Sequence, residues 1–306
     1  MDYKPLSGRE FPRFSGIKTF FRLPLADATS DCDILIVGVP FDGAVSYRPG
    51  ARFAPSQIRE VSSLGRGFHL TRNRNVFEKH KVADGGDCSV VPIDQAQTYE
   101  KVESHFGEIL SKGKKFIAVG GDHSLALPLL RSAFKKVGKP LQLIHFDAHL
   151  DTYPAAWNCE YHHGSFLRHA VNEGLIYPKR SVQFGIRGPL AGGEDLDFVK
   201  KHGIQVFTVD DVRDQSLNEF LKKIPAFDGP TYITFDIDCL DPSYAPGTGT
   251  PVVGGLTTYE TQKILRALKI KDLVAADLVE VSPPFDSSQI TSLAAVDTLF
   301  EILCLM

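Results

Sequence analysis

The sequence predicts an α/β protein in which a mainly parallel sheet is covered by helices on both faces. Two observations carry this: short apolar runs rich in β-branched residues recur along the chain, and longer helix-like segments separate them. A third sets the organisation. No internal repeat, low-complexity tract or Pro/Ser-rich linker divides the 306 residues, so 1–306 is read as one domain.

In chain order, the apolar runs at 34–39, 116–119, 141–146, 181–186, 204–209, 232–235 and 273–281 read as buried strands. Segments 98–110, 124–137, 165–174, 194–202, 257–268 and 289–305 read as the helices between and after them. The first third is less regular. Its segment 41–55, crowded with Pro, Gly and Arg, reads as a long ordered loop of the kind that serves binding or an interface.

Charge and composition exclude several classes. With 34 Lys plus Arg against 37 Asp plus Glu, the formal charge is −3, which argues against a polybasic nucleic-acid binder. Apolar residues at 43% and charged residues at 23% are ordinary for a globular protein. The five cysteines, Cys32, Cys88, Cys159, Cys239 and Cys304, are far apart and form no C-x-x-C, so neither a disulfide framework nor a cysteine zinc site is expected. No signal peptide or membrane span is read, and a reducing cytoplasm is the expected location.

Acids and histidines gather at the ends of three apolar runs: Gly120-Gly121-Asp122-His123-Ser124, His145-Phe146-Asp147-Ala148-His149-Leu150-Asp151 and Phe235-Asp236-Ile237-Asp238-Cys239-Leu240-Asp241. Carboxyl ends of neighbouring parallel strands converge on one edge, where ligands bind. The Asp-x-His-x-Asp and Asp-x-Asp spacings put alternate side chains on one side of extended backbone, which is chelating geometry. Crowded carboxylates in a dry cleft demand cations. His123, Asp147, His149, Asp151, Asp236 and Asp238 supply four negative charges, enough for two divalent ions. Oxygen-rich coordination with one His per metal suits Mn²⁺ better than Zn²⁺ and leaves Co²⁺, Ni²⁺ and Fe²⁺ open. Taken singly, the first motif reads equally as a strand-to-helix turn capped by Asp122 or Ser124. His145, Asp122 and Asp241 are read as supporting or capping groups, and Cys239 as core.

These motifs identify a resemblance to the ureohydrolases, the family of arginase and agmatinase, with the agmatinase branch the nearest. The resemblance continues through Arg48-Pro49-Gly50-Ala51-Arg52, residues 241–251 and Asp277-Leu278-Val279-Glu280-Val281-Ser282-Pro283. It implies a three-layer α/β/α arginase-like fold, two Mn²⁺ per subunit, hydrolysis of a guanidino group to urea and an amine, and a homo-oligomer, trimer or hexamer. The same six residues carry over as metal ligands. Glu280 matches the family's guanidinium-binding acid, and His163, in His163-Gly164, its proton shuttle.

For substrate, the resemblance implies agmatine, cleaved to putrescine and urea. In segment 153–162, Glu160 would receive the substrate ammonium and Trp157 or Tyr161 would cover its aliphatic chain. The alternative is a guanidino acid such as 4-guanidinobutyrate, with Arg48 or Arg187 as partners for its carboxylate. Two readings of other kinds are a relative that binds metal or guanidine without turnover, disfavoured by the complete ligand set, and a deacetylase-like hydrolase, which has no use for both Asp236 and Asp238.

Overall fold

The computed structural model describes residues 3–306. Eight strands form one sheet: β1 (Ile34–Gly38), β2 (Val82–Asp87), β3 (Lys115–Val119), β4 (Gln142–Phe146), β5 (Val182–Ile186), β6 (Gln205–Thr208), β7 (Ala226–Asp236) and β8 (Lys269–Val279). Their spatial order is β2-β1-β3-β8-β7-β4-β5-β6, and every pairing is parallel. A two-strand ribbon, Phe68–His69 with Arg74–Asn75, stands apart.

Seven helices matter to the layers: α1 (Ala54–Val61), α2 (Gln95–Ser111), α3 (Ala126–Val137), α4 (Phe166–Asn172), α5 (Glu194–His202), α6 (Thr258–Ala267) and α7 (Ile290–Leu303). Alternation along each strand decides which layer it feeds. Ile34, Ile36, Ile117, Val119, Ile144 and Phe146 pack with α1, α6 and α7 through residues such as Ile58, Ile264 and Leu299. Leu35, Val37, Phe116, Ala118 and Leu143 pack on the opposite side with Phe106 of α2, Leu130 of α3, Leu167 of α4 and Val199 of α5. Three layers, helix, sheet and helix, are the outcome expected from the sequence.

The seven apolar runs all form strands. The eighth strand, β2, does not stand out in the sequence because Val82-Ala83-Asp84-Gly85-Gly86-Asp87 carries little apolar signal. It is an edge strand, where pairing on one side only makes fewer demands on composition. Helix α1 was likewise lost inside the irregular first third, its start marked only by Pro55 in the first turn. No helix among the described residues is long and apolar enough to cross a membrane.

This order places four strands side by side at the centre: β3, β8, β7 and β4. Their registers align Val119 with Leu278, Val279 with Asp236, and Phe235 with Phe146, so all four chains leave the sheet at one level. The motifs follow immediately after. His123, Glu280, Asp236 with Asp238, and Asp147 with His149 and Asp151 therefore emerge at one edge of the sheet.

Candidate metal centre

The turn into His123 is tight. A Cβ at Gly121, whose φ is +78°, would sit 2.1 Å from Leu125 Cδ1 and 2.7 Å from the carbonyl oxygens of Val39 and Phe41, so only glycine passes. Asp122 then accepts hydrogen bonds from the N–H groups of Ala44 at 2.9 Å and Ser124 at 3.0 Å, the capping role expected of it.

His123 Nδ1 lies 3.0 Å from Asp147 Oδ2, 3.0 Å from Asp151 Oδ2 and 3.2 Å from Asp236 Oδ2. His149 Nδ1 lies 3.2 Å from Asp147 Oδ1 and 3.1 Å from Asp238 Oδ2. The six residues thus form two clusters that share Asp147, one oxygen facing each. His145 lies beside the first cluster, its Nε2 2.8 Å from Asp147 Oδ2.

Whether these residues fit a metal can be tested on the tautomer of His123. Asp277 accepts the hydroxyl protons of Tyr232 at 2.7 Å and Thr234 at 2.6 Å. With its own proton so used, Thr234 Oγ1 accepts from His123 Nε2–H at 2.8 Å. Nδ1 is then bare, buried and without a hydrogen-bond partner, among three carboxylate oxygens. A lone pair facing anions is repulsive unless a cation sits between them, so the donor set fits metal ions.

The charges around these groups show the same need for positive charge. Burial opposes charging His123, yet the surrounding Asp147, Asp151 and Asp236 hold its pKa well above the ordinary value. Burial, then the neighbouring Asp238 and Asp147, push the Asp236 carboxyl well up. Burial is also the first cause of the raised Asp238 carboxyl. The cleft concentrates more negative charge than it neutralises.

Glu280 stands beside this group. Its Oε1 accepts from the backbone N–H of His123 at 2.9 Å and lies 3.2 Å from His163 Nδ1, whereas its Oε2 is buried with no partner. Both Glu280 and Asp151 are held in left-handed backbone, φ 63° and 52°, a conformation that costs non-glycine residues about 1–3 kcal/mol each. His163 is raised to about 9: burial works against the charge, and the hydrogen bond and charge of Glu280 overcome it. On its other side Nε2 meets Ser46 Oγ at 2.7 Å, and the His163 backbone N–H donates to the Ala44 carbonyl at 3.1 Å. The loop at 41–55 therefore folds over the site, fixed by an Asp42–Arg52 ion pair and by Gly50, where a Cβ would meet Ser282 Oγ at 2.4 Å.

A cavity of about 420 Å³ opens above these groups, bordered by His149, Asp151, Asp236 and His163. Trp157 lines it from the tip of a two-residue hairpin in which Ala156 and Cys159 exchange hydrogen bonds of 3.0 and 2.8 Å. Glu160 does not reach it; its side chain is exposed and outside the lining. Beyond Asp151 and Asp236, the acids that line it are Glu194 and Asp195, at the start of α5. In sequence these read only as the negative first turn of a helix. His162, the neighbour of the expected shuttle, also lines the cavity but turns its Nε2 to the Pro154 carbonyl at 3.0 Å. Among the described residues, no lysine or arginine lines the cavity. Arg187 is spent on backbone carbonyls, among them Asp238, Leu240 and Val252, and Arg48 stacks over the rings of Tyr47 and Phe285. Cys239 faces the core, as expected.

Ser46, Gln183, Thr234, Tyr232 and Asp277 are contacts that sequence reasoning missed. For Tyr232 and Thr234 there was a signal, because both alternate with Asp236 along β7 and so share its face.

An eight-stranded parallel sheet with paired carboxylate and imidazole clusters at its carboxyl edge defines a metal-binding α/β protein of the ureohydrolase class. Comparison with known proteins agrees. Residues 32–305 match the Arginase family. The chain is 40% identical to a guanidinopropionase of Pseudomonas aeruginosa over 99% of its own length and 96% of that protein. It is 43% identical to an agmatinase of Cronobacter sakazakii, over 93% and 91%. The solved proclavaminate amidinohydrolase of Streptomyces clavuligerus superposes with a TM-score of 0.87 at 38% identity, over 95% of this chain and 97% of that one. The chain belongs to the arginase family, whose members of this kind are hydrolases of guanidino compounds.

Proposed function

We propose that the protein hydrolyses agmatine to putrescine and urea at a pair of Mn²⁺ ions. His123, Asp147, Asp151 and Asp236 would hold one ion, and Asp147, His149 and Asp238 the other. When bound, such ions lower the pKa of water and so supply a nucleophile at neutral pH.

The observation that carries the guanidine assignment is the unpartnered, buried Oε2 of Glu280 beside the clusters. A guanidinium is planar and offers paired N–H donors, so this carboxylate oxygen would accept one and fix the group in a near-attack position. Leaving a buried carboxylate oxygen unpaired is costly, and substrate relieves that cost. His163, held protonated at neutral pH by the same Glu280, is placed to give a proton to the departing amine. Ser46 keeps its ring in place, and the Ala44 carbonyl holds the backbone that carries it.

Charge supports agmatine over a guanidino acid. A carboxylate tail would enter a cavity lined by Glu194 and Asp195 with, among the described residues, no lysine or arginine in its lining to receive it. An ammonium tail meets Glu194, and Trp157 offers an apolar surface for the methylenes between. The test is urea release with Mn²⁺ from agmatine, 4-guanidinobutyrate and 3-guanidinopropionate. Agmatine should give the highest kcat/KM; preference for either acid overturns the substrate assignment.

A further inference from the structure

We propose that His145 is a positioning residue: a neutral hydrogen-bond donor that fixes the carboxylate shared by the two metal clusters, with Gln183 setting the ring tautomer on which this depends. The proposal rests on the binuclear reading above.

Gln183 lies directly opposite His145 in the parallel pairing of β4 with β5, so the two side chains share a face of the sheet. A single amide nitrogen of Gln183 lies 3.1 Å from the Leu150 carbonyl oxygen and 2.9 Å from His145 Nδ1. Turned over, the amide would bring its oxygen against that carbonyl, two acceptors in contact, so the backbone of Leu150 decides which end of the amide faces His145. The nitrogen has two protons. One goes to Leu150, and the other goes to His145 Nδ1, which must therefore be the acceptor end of the ring.

The ring proton then sits on Nε2, 2.8 Å from Asp147 Oδ2, and is donated there. A nitrogen that carries a proton has no lone pair for a metal. This decides a question that distance alone leaves open, because His145 lies with His123, Asp147 and Asp151 in a group whose ligating atoms all fall within 4.8 Å of one another. His145 supports the centre without joining it.

The carboxylate it holds is the one that matters most. Asp147 Oδ1 accepts from the His149 N–H at 2.6 Å, and Oδ2 accepts from His145, so the plane of the group is fixed from both ends. Each oxygen is thereby aimed at a different cluster. The imidazole of His145 is fully buried, with the Phe166 ring edge-on at 5.2 Å and the His123 ring at 5.1 Å. Gln183 is buried too, and its Oε1 has no partner, so the amide is placed for its N–H groups alone.

Mn²⁺ binding measured by equilibrium dialysis and chelator competition tests this, with the ring tautomer read separately by ¹⁵N NMR of histidine-labelled, metal-free protein. Wild type should hold two Mn²⁺ and show the His145 proton on Nε2. His145→Phe should still hold two at saturation, with the weaker ion bound about 10- to 100-fold less tightly, the range expected when an outer hydrogen bond to a ligand is lost. Gln183→Leu should weaken binding in the same direction, and His145→Gln, which restores an N–H toward Asp147, should recover most of it. Should His145→Phe hold one ion at saturation, His145 is a ligand and the proposal is wrong. Unchanged affinity in both His145→Phe and Gln183→Leu, or a proton on Nδ1, also overturns it. Wild type holding fewer than two ions would instead contradict the binuclear reading, and the NMR result still decides the tautomer.

Discussion

His163 and Glu280, 117 residues apart in the chain, meet through a 3.2 Å contact between Nδ1 and Oε1, where His163 borders the cavity. One residue follows the second metal motif and the other comes directly after β8; because β7 lies between β4 and β8, the chain leaving β4 must cross the sheet edge to bring them together. Glu280 uses one oxygen on this histidine and keeps the other without a partner.

The pairing has a pH signature. In metal-free protein His163 should titrate near the raised value of about 9, and Glu280→Gln should return it toward the ordinary 6.5. Because the folded value is raised, the pair's contribution to stability is complete below about 6.5 and is lost as pH rises through about 9. NMR titration of the ring checks the first statement and denaturant unfolding across that window the second. A His163 pKa indifferent to Glu280→Gln would refute both.

Removing the imidazole should separate proton transfer from metal binding. His163→Ala is expected to lower kcat by about 10²–10⁴-fold, the usual range for a lost general acid, while both metals stay bound. Loss of metal in this variant would mean that His163 has been given the wrong role.

The hairpin tip couples stability to recognition. Trp157 and Asn158 have φ of 51° and 60°, a left-handed pair in which a bulky residue is strained. Trp157→Gly should raise stability by about 1 kcal/mol and yet increase KM for agmatine, because the apolar cover is gone. Trp157 is the only tryptophan and is 76% exposed, so its emission should shift to the blue when agmatine fills the cavity. Unchanged KM and unchanged fluorescence would place substrate elsewhere.

Glu194 is exposed at the cavity wall, and an exposed ion pair is worth at most about 1 kcal/mol. Glu194→Ala should therefore raise KM for agmatine by about fivefold or less. A guanidine of equal length with an uncharged tail should show no change; an equal effect on both would deny Glu194 its role with the ammonium.

Much of this was legible in the sequence because it depends on short-range pattern. Buried parallel strands announce themselves as apolar runs, and residues placed just beyond such a run, as in Asp147-x-His149-x-Asp151, must appear at the sheet edge. What stayed hidden depends on strands far apart in the chain. Nothing near His145 names Gln183 as its partner, and nothing near His123 names Thr234 or the Asp277 behind it, because strand register brings these side chains together. Glu160 was expected in the cavity for its nearness to His163 in sequence, but the hairpin at 156–159 turns the chain so that α5 brings Glu194 there instead. Capping acids and binding acids look alike until the helix is placed.

The central claim is that the crowded acids at the sheet edge hold two metal ions for hydrolysis of a guanidine. Protein stripped with a chelator and titrated with Mn²⁺ tests it directly, with bound metal and urea release from agmatine measured on the same samples. Urea release should be absent from stripped protein and should rise with bound Mn²⁺ to a plateau at two ions per chain. A folded chain carrying two Mn²⁺ that releases no urea from agmatine or any other guanidine would contradict the account.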